Sequence, residues 1–143
     1  MKPYIRIIRI PYEEPHSLNL IIEASNGNQK LKLEYYSNAT DLVDIAKSLI
    51  TFPRSESDDY LYELGSENIK DNFAHYLRFR VFTINPLGHC AIQLRINNNN
   101  ESPFGECCDF CIEAEPAQVN RLGELFHKFS ELKTETLEWS LDD

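Results

Sequence analysis

The first third of the chain alternates apolar and polar residues, the pattern of strands that bury one face. Two alternating segments flank the polar residues 25–28, which include the pair Asn26-Gly27. Asn-Gly pairs adopt the positive φ angles of two-residue hairpin turns, so these segments predict a β-hairpin. The isoleucine-rich segment Tyr4–Ile10 predicts a strand before it. The apolar positions of the hairpin are Leu18, Leu20, Ile22, Leu31, Leu33 and Tyr35.

Two other segments repeat apolar residues every three or four positions, which predicts amphipathic helices. The first follows the capping candidates Ser37, Asn38 and Thr40 and ends before Pro53. The second begins at Pro116, a residue that suits the first turn of a helix. Its apolar positions are Val119, Leu122, Leu125, Phe126, Phe129 and Leu132, and those of the first helix are Leu42, Ile45, Ala46 and Leu49.

Gly123 lies inside the second predicted helix, where glycine costs about 1 kcal/mol relative to alanine. A glycine that is retained at this cost indicates a close contact with another part of the backbone. We expect a strand to approach the helix at this point.

Alternation returns between residues 59 and 115 and predicts four more strands, with turns at residues 85–88 and 97–100. A last strand places Leu137 and Trp139 inward. The predicted order is three strands, a helix, four strands, a helix and a strand. Short turns between successive strands favour a largely antiparallel β-sheet with both helices packed on one face, which is an α+β fold. No repeat or change of composition divides the chain, so we expect residues 1–143 to form a single domain.

The chain has 23 acidic and 14 basic side chains, a formal net charge of −9. A negative potential repels phosphate groups, so we expect neither nucleic acid nor an acidic membrane surface as a partner. A basic protein fits this charge, because complementary potentials speed encounter and suppress wrong pairings. A general contribution of the charge to solubility is the alternative explanation.

No apolar run approaches the roughly 18 residues that a membrane-spanning helix needs. Arginines interrupt the short apolar stretch at the beginning of the sequence, and no small-residue cleavage site follows it, so a secretory signal is not predicted. We therefore expect a cytoplasmic protein whose cysteines are reduced. These are Cys90, Cys107, Cys108 and Cys111.

Cys107 and Cys111 lie on the same side of a predicted strand, and His89 and Cys90 are candidates for a neighbouring strand. Four residues of a strand span about 13 Å, whereas zinc binds its thiolate ligands at about 2.3 Å, so both thiols cannot reach one ion. We expect these cysteines to pack as small apolar residues, and we expect no metal and no other cofactor.

No pattern in the sequence couples a nucleophile to a base. Thiol catalysis needs a histidine within hydrogen-bond reach of a cysteine, and nothing in the spacing places one of the histidines there. The acidic pairs are neighbours in sequence, whereas acid–base catalysis needs two carboxyl groups in unlike environments on either side of a substrate. We therefore expect a protein that is not an enzyme. The histidines are His16, His75, His89 and His127.

Arg78 and Arg80 alternate with apolar residues, so both project from the face of the predicted sheet that points away from the core. If no helix covers that face, it offers guanidinium groups beside the aromatic rings of Tyr76 and Phe82, a combination enriched at protein interfaces. The alternative is that the arginines pair across strands with carboxylates, a common arrangement on a solvated sheet face. The candidates for such pairing are Glu63, Asp109 and Glu113.

Four stretches together carry a resemblance to a known group of proteins. They are Leu-Ile-Thr-Phe-Pro at residues 49–53, Tyr-Glu-Leu-Gly-Ser at 62–66, Gly-His-Cys-Ala-Ile-Gln at 88–93 and the segment 110–125. Over roughly residues 17–130 the chain resembles small uncharacterised bacterial proteins, some of which look like immunity proteins encoded near polymorphic or contact-dependent toxins. The resemblance implies a stoichiometric protein that binds and blocks a toxin domain, often a basic nuclease. It supplies no catalytic motif and no functional residue.

The leading hypothesis from the sequence is therefore a non-enzymatic immunity protein that binds a basic bacterial toxin domain, as a monomer or homodimer. Two alternatives stay open: a small ligand-binding or enzymatic α+β domain with His89, Cys90 or the acidic sheet face at its pocket, and a structural protein that dimerises through a sheet edge or face. The predicted partner-binding residues lie in acidic loops or on the solvated sheet face. They are Glu13, Glu14, Asp58, Asp59, Glu63, Arg78, Arg80, Asp109 and Glu113.

Overall fold

A computed structural model describes residues 2–11, 14 and 17–142 of the chain. The strands in this part are β1 (Tyr4–Ile10), β2 (Leu18–Ser25), β3 (Lys30–Ser37), β4 (Asp59–Gly65), β5 (Tyr76–Thr83), β6 (Cys90–Asn97), β7 (Cys107–Ala114) and β8 (Thr136–Ser140). The α-helices are α1 (Ala39–Ile50), between β3 and β4, and α2 (Pro116–Phe129), between β7 and β8. A single turn of 3-10 helix, Ile69–Asp71, lies between β4 and β5. The predicted α+β class and order of elements are confirmed.

The strands form two four-stranded sheets, and every neighbouring pair is antiparallel. Sheet A has the order β3-β2-β1-β8 and sheet B the order β4-β5-β6-β7. The chain passes from sheet A to sheet B through α1 and returns through α2, so the last strand pairs with the first. Alternation decides which face of a strand is buried but not which sheet the strand joins. The division into two sheets is therefore a finding of the structure.

Buried side chains from both sheets and both helices form one core. Helix α2 contacts each sheet: the ring of Phe126 lies 5.8 Å from the ring of Phe79 on β5, and the Gln118 carbonyl oxygen accepts a hydrogen bond of 2.9 Å from Trp139 Nε1 on β8. The core thus fixes the position of sheet B relative to α2. Neither described helix is both long and apolar enough to cross a membrane.

Helix α1 begins and ends as the sequence predicts. The Asn38 side chain accepts a hydrogen bond from the Asp41 backbone N–H at 2.8 Å, which satisfies one of the free donors of the first turn. The predicted apolar positions Leu42, Ile45, Ala46 and Leu49 are all buried. The helix stops at Ile50, three residues before Pro53.

Gly123 makes the predicted close approach, but its neighbour is helix α1 and not a strand. A Cβ atom at Gly123 would lie 2.6 Å from the backbone nitrogen of Ile50 and 2.9 Å from the carbonyl carbon of Leu49. The apolar faces of two helices meet across this point, and a glycine lets the backbones come closer than any side chain allows. The helical pattern around Gly123 thus predicted a close backbone contact, but it did not specify whether a strand or a helix is the neighbour.

Candidate protein interface

Sheet B turns one face to the core and the other to solvent. On the solvent side the side chains are exposed or half-buried, except for Tyr76 and Ala91. We call this surface the outer face of sheet B. It consists of Asp59, Leu61 and Glu63 from β4, Arg78, Arg80 and Phe82 from β5, Gln93, Arg95 and Asn97 from β6, and Cys107, Asp109, Cys111 and Glu113 from β7.

Strand register brings arginines and carboxylates into the same rows across this face. One row runs from β4 to β7 through Glu63, Arg78, Arg95 and Asp109. Two arginines therefore lie directly opposite each other, with an acid outside each one. Like charges at opposite positions are unfavourable unless other groups compensate them. The contacts of the arginines show how this compensation is achieved.

Arg80 is held by Asp59 from the neighbouring strand. Its Nη2 and Nε atoms lie 2.6 Å and 3.0 Å from the two carboxylate oxygens, which is a bidentate pair. The hydrogen bonds from Arg80 keep the pKa of the Asp59 carboxyl below its ordinary value. The guanidinium also lies over the ring of Phe82, 4.1 Å from its centre.

Arg95 is held by two carboxylates. Its Nε and Nη2 atoms donate to Glu67 at 3.0 Å and 2.7 Å, and Nη1 lies 3.3 Å from Asp109. The hydrogen bonds from Arg95 lower the pKa of the Glu67 carboxyl. Asn97 donates a further hydrogen bond to Glu67 at 2.7 Å, and Gln93 donates one to Asp109 at 3.0 Å. The β6 and β7 side of the face is therefore an ordered polar network.

Asp59 and Glu113 lie at one end of the outer face of sheet B. Two open clefts lie at this end. The first, of about 510 Å³, includes Glu113 and Glu115, and the second, of about 400 Å³, includes Glu56, Asp58 and Asp59. Ile84 and Asn85 line both clefts, so the two are adjacent. We call them the acidic clefts. The arginine in this lining, Arg80, is already paired with Asp59, which leaves a surplus of carboxylates.

His89 and Cys90 lie at the first acidic cleft, but they are engaged separately. Cys90 is fully buried, its thiol donates to the Gly88 carbonyl oxygen at 3.1 Å, and burial raises the pKa of the thiol to about 11. His89 Nδ1 lies 2.7 Å from Asn85 Nδ2, and its Nε2 lies 3.4 Å from Glu115. A thiol with a raised pKa is a poor nucleophile at neutral pH. Within the described residues, no group of three or more His, Cys, Asp or Glu side chains has a geometry that could hold a metal ion.

The structure brings most of the predicted partner-binding residues to one surface. Glu63, Arg78, Arg80, Asp109, Glu113 and Asp59 lie on the outer face of sheet B, and Asp58 lies in the second acidic cleft beside Asp59. Glu14 instead pairs with Arg9 at 2.5 Å, where the two side chains are 15% and 8% exposed. It is a partner of a nearly buried arginine and not an exposed contact residue. Glu13 lies outside the described residues.

Both predicted interpretations of the arginine strand apply in part. No helix in the described part of the chain covers the face, as the interface interpretation requires. Most of its arginines form ion pairs with carboxylates, as the cross-strand pairing interpretation requires. The pairs differ from the predicted ones, since Asp59 and Glu67 are the main acceptors. Arg95, Glu67 and Glu115 are not among the partner-binding residues predicted from the sequence. The alternation of Arg95 with Ile92 and Leu94 carried the same signal as that of Arg78, whereas nothing in the loop around Glu67 marks it.

Comparisons with known proteins add little to this geometry. No protein-family model matches the sequence, and no curated protein is significantly similar to it. Among solved structures, the chain is similar to the plant transcriptional regulator PBF-2, with a TM-score of 0.48 and 13% identical residues over 91% of this chain and 76% of that one. At this level the likeness carries no argument about function.

Proposed function

We propose that this chain is a non-enzymatic binding protein of the immunity type, which binds a basic bacterial toxin domain and blocks it. The observation that carries the proposal is the line of carboxylates along the acidic clefts, which continues into the open outer face of sheet B. Together with the net charge of −9, it makes a surface that attracts a basic protein. The resemblance to immunity proteins gives the class of that partner.

The anatomy of this surface also suits a protein partner. Ile84, which is 45% exposed, lies between the two groups of carboxylates, and Leu87 in the same turn is 83% exposed. An apolar centre with a charged rim is the common arrangement of protein interfaces. In this proposal the protein acts in the cytoplasm, and each copy, as a monomer or as a subunit of a homodimer, binds one toxin domain.

The proposal is tested by producing the protein together with the toxin domain encoded by the neighbouring gene. We expect growth to be restored and a 1:1 complex to form, as measured by calorimetry. Absence of both would refute the proposal.

The acidic clefts are tested with a variant that carries Glu56→Gln, Asp58→Asn, Glu113→Gln and Glu115→Gln. We expect its association rate with the toxin domain at low salt to fall about 10-fold or more, because electrostatic attraction mainly accelerates encounter. The matched control neutralises four carboxylates elsewhere, with Glu34→Gln, Glu124→Gln, Glu131→Gln and Glu138→Gln. Equal rates for the two variants would show that net charge and not the clefts attracts the partner.

A second candidate function is the binding of a small ligand in the first acidic cleft. Its volume of about 510 Å³ lies within the usual range for ligand sites, and His89, Asn85 and Gln118 contribute polar groups to its lining. We would then expect a compound from a panel of small cationic metabolites to raise the melting temperature, and the variant His89→Ala to abolish that rise. A panel without effect on the melting temperature would count against this candidate.

A further inference from the structure

Three arginines lie on the outer face of sheet B, and they differ in how their guanidinium groups are occupied. Asp59 fills the bidentate edge of Arg80, and Glu67 fills that of Arg95, which also contacts Asp109. Arg78 neighbours both, two residues from Arg80 on β5 and directly opposite Arg95 on β6. Within the described part of the chain, Arg78 has no carboxylate within 4.0 Å of its guanidinium nitrogens.

Arg78 is nevertheless held in place. Its Nε atom donates to the Tyr76 hydroxyl oxygen at 2.9 Å, and that hydroxyl donates in turn to Glu63 Oε2 at 2.5 Å. Tyr76 is buried, only 3% exposed, and the pKa of its hydroxyl is raised by that burial and by the hydrogen bond to Glu63. The tyrosine therefore stays a neutral donor to Glu63 and an acceptor from Arg78. This relay uses Nε of Arg78, the guanidinium nitrogen nearest the chain, and engages Glu63, its neighbour across the strands, so the two terminal nitrogens stay available.

We propose that Arg78 is the binding site on this face for a carboxylate side chain of the protein partner, an inference that rests on the proposed immunity function. A guanidinium with two free terminal nitrogens matches a carboxylate in a bidentate geometry. Because the relay through Tyr76 already orders the long side chain, little rotamer entropy remains to be lost when the partner binds. Half-buried arginines beside apolar groups are also frequent hot spots, and Leu61, 49% exposed, lies in the adjoining row.

The charge around Arg78 selects a protein carboxylate over a phosphate. Glu63 and Asp109 lie in the same row as Arg78, Glu67 is bound to Arg95 in that row, Asp59 and Glu113 lie further along the face, and the whole chain carries a net charge of −9. A polyphosphate strand laid across the face would meet these acids along its length, whereas a single carboxylate on a basic protein meets only Arg78. The partner that fits is thus a basic surface with one acidic residue at its centre, which fixes the orientation of the complex.

Calorimetry of the wild-type protein and its Arg78 variants with the toxin domain of the neighbouring gene tests this proposal. We expect Arg78→Gln to raise the Kd about 30-fold or more, and Arg78→Lys to raise it about 10-fold because the ammonium group keeps the charge but loses the bidentate geometry. The matched control is Arg6→Gln on the central strand β1 of sheet A, where Arg6 lies opposite Glu23 and Glu138. This control should change the Kd less than about 3-fold.

A double-mutant cycle separates the positioning role of Tyr76 from a structural one. Tyr76→Phe alone should raise the Kd, since it releases Arg78, whereas Tyr76→Phe in the Arg78→Gln background should raise it no further. Replacing the acidic residues of the toxin domain one at a time should identify one whose loss has no effect in the Arg78→Gln background.

The outcomes distinguish this inference from the function on which it rests. If the wild-type protein does not bind the toxin domain, the proposed function fails. If it binds and the Arg78 variants bind equally well with unchanged melting temperatures, the function stands and the role of Arg78 is refuted. Binding of a single-stranded oligonucleotide that depends on Arg78 would also overturn the inference, because it would make phosphate the ligand.

Discussion

Gly123 is the residue at which the packing leaves least room for change. Helix α2 presents it to the end of helix α1, where a Cβ atom would lie 2.6 Å from the Ile50 nitrogen. Alanine is favoured over glycine in a helix by about 1 kcal/mol. At this position the steric cost opposes that gain, because the obstacle is backbone and not the end of a flexible side chain.

We expect Gly123→Ala to lower the free energy of unfolding by about 1–3 kcal/mol, the usual cost of overpacking. Urea denaturation measures this, with Glu124→Ala on the exposed side of the same turn as the control. The control should change the stability by less than about 0.5 kcal/mol. A Gly123→Ala protein as stable as the wild type would show that the helices do not cross this closely.

Cys90 gives a prediction about pH. The folded protein raises the pKa of this thiol from 9.0 to about 11, because burial disfavours the thiolate. Between these values the folded state binds more protons than the unfolded state, so stability falls as pH rises. Tyr60, whose pKa burial raises to about 12, acts in the same direction at higher pH.

We therefore expect the free energy of unfolding to decrease from about pH 9 upward, and to decrease less steeply between pH 9 and 11 in the variant Cys90→Ala. Chemical denaturation at a series of pH values measures both slopes. Parallel slopes for the two proteins would mean that Cys90 titrates normally in the folded state.

At the scale of elements, the end of helix α1 depends on helix α2. The Asn120 side chain donates to the carbonyl oxygens of Leu49 at 2.9 Å and Phe52 at 2.7 Å. The last carbonyl groups of a helix have no partners within that helix. One amide group therefore satisfies two acceptors at the place where Gly123 lets the two helices approach.

We expect Asn120→Ala to cost about 1–3 kcal/mol of stability, because it removes the side-chain donor of the Phe52 carbonyl and leaves the Leu49 carbonyl only backbone donors such as the Phe52 N–H. Hydrogen exchange should speed up in the last turn of α1 while the amides of β6 change only by the global loss of stability. Lys128→Ala, an exposed change on the same helix, is the control. Uniform acceleration across both elements would contradict a local role for Asn120.

The elements also show which parts of the structure the sequence can predict. The N-cap and apolar face of α1 and the start of α2 at Pro116 depend on neighbours within a few residues, so periodicity and residue type predict them. The predicted end of α2 was wrong, since the helix stops at Phe129, before the predicted apolar position Leu132. The solvent side of Arg78 and Arg80 follows from alternation in the same way. The pair Arg80–Asp59 joins residues 21 positions apart through strand register, and Glu67 reaches Arg95 across 28 positions. Such contacts depend on which strands become neighbours, which local patterns do not specify.

At the scale of the whole molecule, the carboxylates of two regions differ in how far nearby cations neutralise them. The carboxylates on sheet B are partly neutralised by Arg80 and Arg95, whereas those of the acidic clefts exceed the cations beside them. In our proposal the clefts attract a basic partner, and the ordered outer face beside them holds it. The two regions should respond differently to salt, because screening weakens exposed charges much more than desolvated contacts.

We expect the association rate with the toxin domain to fall about 10-fold or more between 50 mM and 500 mM salt, while the dissociation rate changes less than about 3-fold. Stopped-flow measurements over this range give both rates. A partner whose association rate is independent of salt would contradict electrostatic attraction by the clefts.

The central claim is that the protein binds a basic partner through sheet B. It is tested most directly by NMR cross-saturation from the unlabelled toxin domain to the labelled protein, which reports the amides in contact. We predict that the affected residues are those of β4 to β7 on the outer face of sheet B and of the turn at residues 84–89. A footprint on the exposed face of sheet A, or no footprint at a concentration of toxin domain that saturates growth rescue, would contradict the claim.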